Sequence, residues 1–231
     1  MNLRLKIASA LLRYPDEELR AALPEIAAAI AGAGFSRACA APVGQLCRRL
    51  ASGEALDRQE EYVRLFDRGR ATSLHLFEHV HGDTRNRGPA MIELAKAYEA
   101  AGFALDTREL PDFVPLFLEF LAVAEPAAAQ ALLGQAAPIL DALHARLLAR
   151  GRPEATAYAA AIAAVLDEAG HTPGQAAAPI EDEDDPAVMD RAWEDAAVTF
   201  GPEADPNRER ARSGVAAMIQ HLRAARTRVR A

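Results

Sequence analysis

"PAAAQALLGQAAPILDALHARLLARGRPEATAYAAAIAAVLDEAG", residues 126 to 170, is built largely from alanine and leucine, with Pro and Gly as punctuation. Runs of β-branched residues in strict two-residue alternation, the mark of a half-buried strand, are missing here and elsewhere in the chain. The stretch therefore predicts two helices, at about 127–149 and 152–169. Working outward, the same alternation of apolar-periodic segments and breakers predicts helices at about 36–51, 54–67, 71–80, 89–101 and 112–124. "YPDEELRAAL", from Tyr14, opens another, with Pro15 in the first turn and Asp16, Glu17 and Glu18 at the positive end of the dipole. Pro24 is expected to break or kink it, and "GAG" at 32–34 to end it. Short connections favour antiparallel packing. The expected fold is all-α: a single-domain bundle of about eight to ten helices with a flexible C-terminal tail.

The bundle reads as residues 1–170. From 171 to 186, "HTPGQAAAPIEDEDDP" combines Pro, Gly and small residues with five consecutive acids at 181–185, which repel one another and extend. This segment is expected to be an acidic flexible linker. Residues 187–231 form a C-terminal tail that holds the only tryptophan, Trp193, and a closing Arg-rich helix with seven arginines after Pro206.

The chain has 231 residues, 51% hydrophobic and 26% charged, with a net charge of −7. That is enough apolar material for a core, and the field of an acidic surface repels phosphate backbones. Nucleic acid is not an expected partner. The N-terminal apolar run is interrupted by Arg13 and by Asp16, Glu17 and Glu18 before any export cleavage pattern. No run of about 18 apolar residues exists to span a membrane, so the chain is expected in the cytoplasm. Cys39 and Cys47 fit neither a redox pair nor a zinc knuckle and read as reduced, partly buried thiols. Glycine patterns for dinucleotides and nucleoside triphosphates fail, and no cofactor of its own is expected.

Two stretches are dense in chemistry. In "SLHLFEHVHGDTRNRG", residues 73–88, His75, Glu78 and His79 spell H-x-x-E-H, a short signature of one class of zinc peptidases. On a helical wheel they share the polar face of the expected 71–80 helix. Zinc, however, still needs a third protein ligand, which no downstream signal supplies. The peptidase stays as the alternative, and a metal site is not the expected reading. After His81, Asp83, Arg85 and Arg87 follow in a glycine-bounded turn, with the next helix expected from Pro89. Its arginine forks suit either a carboxylate that fixes the turn or a bound anionic or peptide ligand. In "ELPDFVPLFLEF", residues 109–120, Phe113, Leu116, Phe117, Phe120 and Leu121 follow helical spacing. Pro115 either costs one ladder bond or marks the true helix start. Plain core is one reading of this helix. The other is that part of it floors an apolar groove for a partner, with Asp112 and Glu119 at the rim.

Together "LLRYPDEELR", "EEYVRLFDRGRATSLHLFEHVHGDTRNRGPAMIELAKAYEAAGF" and "ELPDFVPLFLEFLA" resemble the NarJ-type assembly chaperones of respiratory nitrate reductase. The likeness runs from about residue 5 to 125, and more loosely through "WEDAAVTFG" at 193–201; Pro89 departs from the family's usual polar residue. The resemblance implies a cytoplasmic all-helical protein of the redox-enzyme maturation chaperone superfamily. It implies a protein that binds the N-terminal segment of the apo catalytic subunit while the molybdenum cofactor is inserted, and that is absent from the finished enzyme. Molybdenum cofactor delivery proteins are implied as further partners. By this similarity the partner-contact candidates are His75, Glu78, His79, His81, Asp83, Arg85, Arg87, Glu109, Asp112, Phe113, Phe117 and Glu119.

Overall fold

The computed structural model describes residues 1–68, 71–81, 87–105 and 109–174, with the backbone alone for 80 and 81. The expected tail, and most of the expected linker, therefore lie outside the described residues. Nine helices are present among them: α1 (Leu3–Leu11), α2 (Glu17–Gly32), α3 (Arg37–Ala51), α4 (Ala55–Phe66), α5 (Glu78–His81), α6 (Arg87–Ala100), α7 (Val114–Val123), α8 (Pro126–Ala149) and α9 (Pro153–Glu168). The only extended pairing described is one isolated antiparallel bridge, between His75 and Phe113. The all-α reading holds.

The quoted alanine-rich stretch forms the α8–α9 hairpin. Glu125 caps α8, its carboxylate accepting from the Ala127 and Ala128 amides. Gly151, at φ +62°, takes the left-handed turn between the two helices, a conformation that a Cβ would strain. α9 packs on α8, α3 and α1 and is the centre of the bundle. Its small Ala155, Ala159, Ala161 and Ala164 let neighbours approach closely, while Tyr158, Ile162, Val165 and Leu166 fill the space between.

α1 is not foreseen by the sequence reading. Asn2 caps it by accepting from the Arg4 and Leu5 amides, and Leu5, Ala8, Leu11 and Leu12 face the core. It runs antiparallel to α7. The Asn2 amide donates to the Ala122 carbonyl at 2.6 Å, Lys6 pairs with Glu119, and Ser9 Oγ donates to the Pro115 carbonyl at 2.7 Å.

Several boundaries differ from expectation. Pro15 precedes α2 rather than sitting in its first turn, and Asp16 is the N-cap, its Oδ1 accepting from the Leu19 amide at 2.8 Å. α2 continues through Pro24 to Gly32. α6 starts at Arg87, so Pro89 falls inside its first turn, where an N–H would have no intrahelical partner. α7 starts at Val114 with Pro115 in its first turn, so the second reading of Pro115 is the correct one.

The largest correction concerns 71–80. Only Glu78–His81 is helical there. Leu74 and Leu76 are instead held extended, because the Leu76 amide donates to the Asp112 carbonyl at 3.0 Å and the Val114 amide to the Leu74 carbonyl at 2.8 Å.

Candidate functional site

That pairing joins the two chemistry-dense stretches. Asp112 lies beneath the junction, with no solvent exposure. Its Oδ2 accepts from the Phe77 amide at 3.0 Å, and its Oδ1 lies 3.3 Å from His75 Nδ1. The Asp112 side chain is thus an internal clamp rather than a groove-rim charge, which corrects the sequence expectation. Above it the half-buried His75 and Phe113 rings face each other, centroids 5.3 Å apart and planes 35° apart. Burial pulls the His75 pKa down. The hydrogen bond and charge of Asp112, aided by Glu78 and opposed by Arg87, outweigh that and leave it raised above its usual value.

His79 is tied on both ring nitrogens. Nε2 donates to the Ser73 carbonyl at 2.8 Å, and Nδ1 accepts from Arg146 Nη1 at 2.9 Å. Only the neutral tautomer with its proton on Nε2 satisfies both. Burial, with the Arg146 charge adding to it against the pull of the Ser73 carbonyl, pushes the pKa down to about 4. Arg146 also donates to the Ala71 carbonyl. One turn on, Arg150 Nη2 donates to Thr72 Oγ1, and that hydroxyl caps the Leu65 carbonyl. Arg146 of α8 and its C-cap Arg150 thereby strap residues 71–79 down.

This geometry removes the basis of the zinc reading. His75 is outside the helix, so the i, i+4 pair does not exist, and neither nitrogen of His79 is open to a metal. Among the described residues no group of three or more His, Cys, Asp and Glu side chains is placed to hold a metal ion.

Of the other candidates, Glu78 of α5 pairs with Arg87 of α6 at 3.1 Å. Phe117 is wholly buried and belongs to the core. Glu119, paired with Lys6, faces α1. Glu109 is exposed and acts electrostatically on Asp67, whose carboxyl is raised mainly by burial; His75 lowers it and Glu109 raises it further. His81 lies in α5 by its backbone, its side chain outside the described residues, as are Asp83 and Arg85. Sequence reasoning missed Thr72, Ser73, Asp67, Arg146 and Arg150. The spacing of Arg146 and Arg150, four apart on one helix face, was the available signal.

Residues 14–153, which take in both joined stretches, match the family described as nitrate reductase delta subunit. The chain belongs to this family. The nitrate reductase molybdenum cofactor assembly chaperone NarJ of Escherichia coli (strain K12) is 42% identical over 86% of this chain and 85% of its own length. The probable chaperone NarW of the same strain is 38% identical over 85% of this chain and 83% of its own. The probable NarJ of Bacillus subtilis (strain 168) is 39% identical over 54% of this chain and 67% of its own. Within this nitrate reductase delta subunit member, the matched region spans α2 to the start of α9, so family likeness and the His75–Asp112 junction coincide in the chain. No helix among the described residues is long and apolar enough to cross a membrane.

Proposed function

We propose that this chain is a cytoplasmic chaperone for a respiratory nitrate reductase. It binds the N-terminal segment of the catalytic subunit, keeps the apoenzyme competent for molybdenum cofactor insertion, works alongside the cofactor's delivery proteins, and leaves the finished enzyme. The observation that carries the reading is that the two stretches bearing the family likeness meet in one clamped platform. There the His75 and Phe113 rings are half-buried and Leu110 is 42% exposed beside Glu109. An incoming segment that buries a few apolar anchors there gains roughly 1.5 to 3 kcal/mol for each. Ordering and association costs then bring the net affinity to about micromolar to nanomolar. Glu78, Arg87 and Glu109 steer encounter more than they hold the complex.

The test is a calorimetric titration with a synthetic peptide copying the N-terminus of that subunit, at low salt and at 1 M salt. Binding is expected at both, modestly weaker at the higher, where the Debye length is about 3 Å. Phe113→Ala, at a half-buried ring packed against the edge of the core, is expected to weaken it at least tenfold while far-UV helicity is kept. No binding at either salt ends the client assignment, and binding abolished by salt ends the apolar mechanism.

A further inference from the structure

Away from this platform, α3, α8 and α9 leave a groove of about 370 Å³ between them. Its walls are small: Ala38 and Pro42 from α3, and Ala157, Ala160 and Ala163 from α9. Side chains of this size let another backbone come close. At its floor sits His144, 8% exposed, with its Nδ1 buried and without a hydrogen-bond partner among the described residues. An orphaned polar atom under an apolar trough is costly unless a hydrogen-bonding group reaches it.

The chain itself leads there. His171 Nε2 lies 3.4 Å from Asp141 Oδ2, and the amide of Gly174, the last described residue, donates to Asp141 Oδ1 at 2.7 Å. Asp141 is one turn before His144 on α8. The sequence thus leaves the bundle beside the groove and continues to Ala231. Thirteen residues on begins "AVMDRAWEDAAVTFG", and a linker of that length reaches up to about 40 Å. Met189, Trp193, Ala196 and Phe200 recur at i, i+4, i+7 and i+11, one narrow apolar stripe if the segment is helical, while Asp190, Glu194 and Asp195 fall off it. Charge selects this segment over the later Arg-rich one. α3 carries no acid; Arg49 is already paired with Glu61 and Glu154, but Arg37 and Arg48 are exposed on the same helix as the lining residues Ala38 and Pro42, and the five acids at 181–185 lie just upstream of the stripe.

We propose that residues 187–200 seat in the α3–α8–α9 groove of their own chain, with Trp193 as the apolar anchor and the acidic flank against the arginines of α3. Trp193 is the only tryptophan, so its fluorescence reports the contact directly. In the full chain its emission is expected to lie to the blue of the free 187–200 peptide, with acrylamide quenching several-fold lower. Two full-chain variants are then compared: Ala160→Glu, which fills the groove, and Arg37→Glu with Arg48→Glu, which reverses the exposed charge of α3. Both are expected to move emission and quenching toward the free peptide while far-UV helicity is kept. If Ala160→Glu loses helicity, the arginine pair decides, since those side chains lie outside the core. Wild-type quenching equal to that of the free peptide overturns the proposal, as does a buried tryptophan that the deciding variants leave unmoved. A blue shift lost on dilution together with a dimer assigns the groove to a second copy and overturns the intramolecular seat.

Discussion

His79 has one protonation state that suits its neighbours, and this fixes a pH dependence. The unfolded residue takes up a proton near pH 6.5 and the folded one only near 4. Between those values the unfolded chain binds more protons, so stability falls as pH drops through that window. At about 1.4 kcal/mol per unit the full loss is on the order of 3 kcal/mol. His75, with its raised pKa, works the other way: its contribution is present below 6.5 and is lost as pH rises through the folded value. His79→Gln can still accept from Arg146 and donate to the Ser73 carbonyl, yet does not titrate. Urea midpoints at pH 7.5 and 5 should therefore differ less in this variant than in the wild type; an unchanged difference would show that another group governs the window. Asp112→Ala removes the carboxylate that accepts from the Phe77 amide and is expected to cost roughly 1 to 3 kcal/mol by urea titration. In the same variant the His75 pKa, read by NMR, should fall. None of these partners was legible in the sequence. An H-x-x-E-H string states spacing along the chain, but the ligand of His75 comes from 37 residues away.

Among the elements, legibility followed local physics. α3, α4, α8 and α9 fell within a residue or two of expectation, because propensity, periodicity and breakers agree there. The 71–80 helix failed where tertiary pairing overrode local preference. A strand-like partner at Asp112–Val114 takes the Leu74 carbonyl and Leu76 amide that a helix would have used. α1 went unread in the sequence, although Asn2 ahead of Leu5 and Ala8 marks a cap. Asp16, by contrast, works as a cap at a position where a first-turn charge was expected. Asp16→Ala should cost roughly 0.5 to 2 kcal/mol, read as a lower urea midpoint with an unchanged slope; Asp16→Asn, which keeps an acceptor, should lose less.

At the scale of the whole molecule, one core runs through α1–α4, the 74–77 segment and α6–α9, with α9 near its middle. Among the described residues, the helices bury their apolar faces on one another. A chain ended after Pro179 should therefore keep cooperative unfolding and its helicity per residue. A broad, non-cooperative melt of that truncation would place residues beyond 179 in the core. The fold class was readable because it rests on composition and period. The clamp was not, because it rests on which distant segments meet.

The antiparallel bridge at His75 and Phe113 is also a neck. The segment from Leu76 to Pro111, whose α6 packs into the core through Ala90, Leu94 and Tyr98, begins and ends at one pair of adjacent backbones, tied there by two backbone hydrogen bonds and the Asp112 carboxylate. Topologically the segment is a closed lasso whose knot is noncovalent. A protease nick anywhere along its length would therefore leave two fragments that still co-migrate under native conditions. New termini should likewise be better tolerated within the lasso than between α8 and α9.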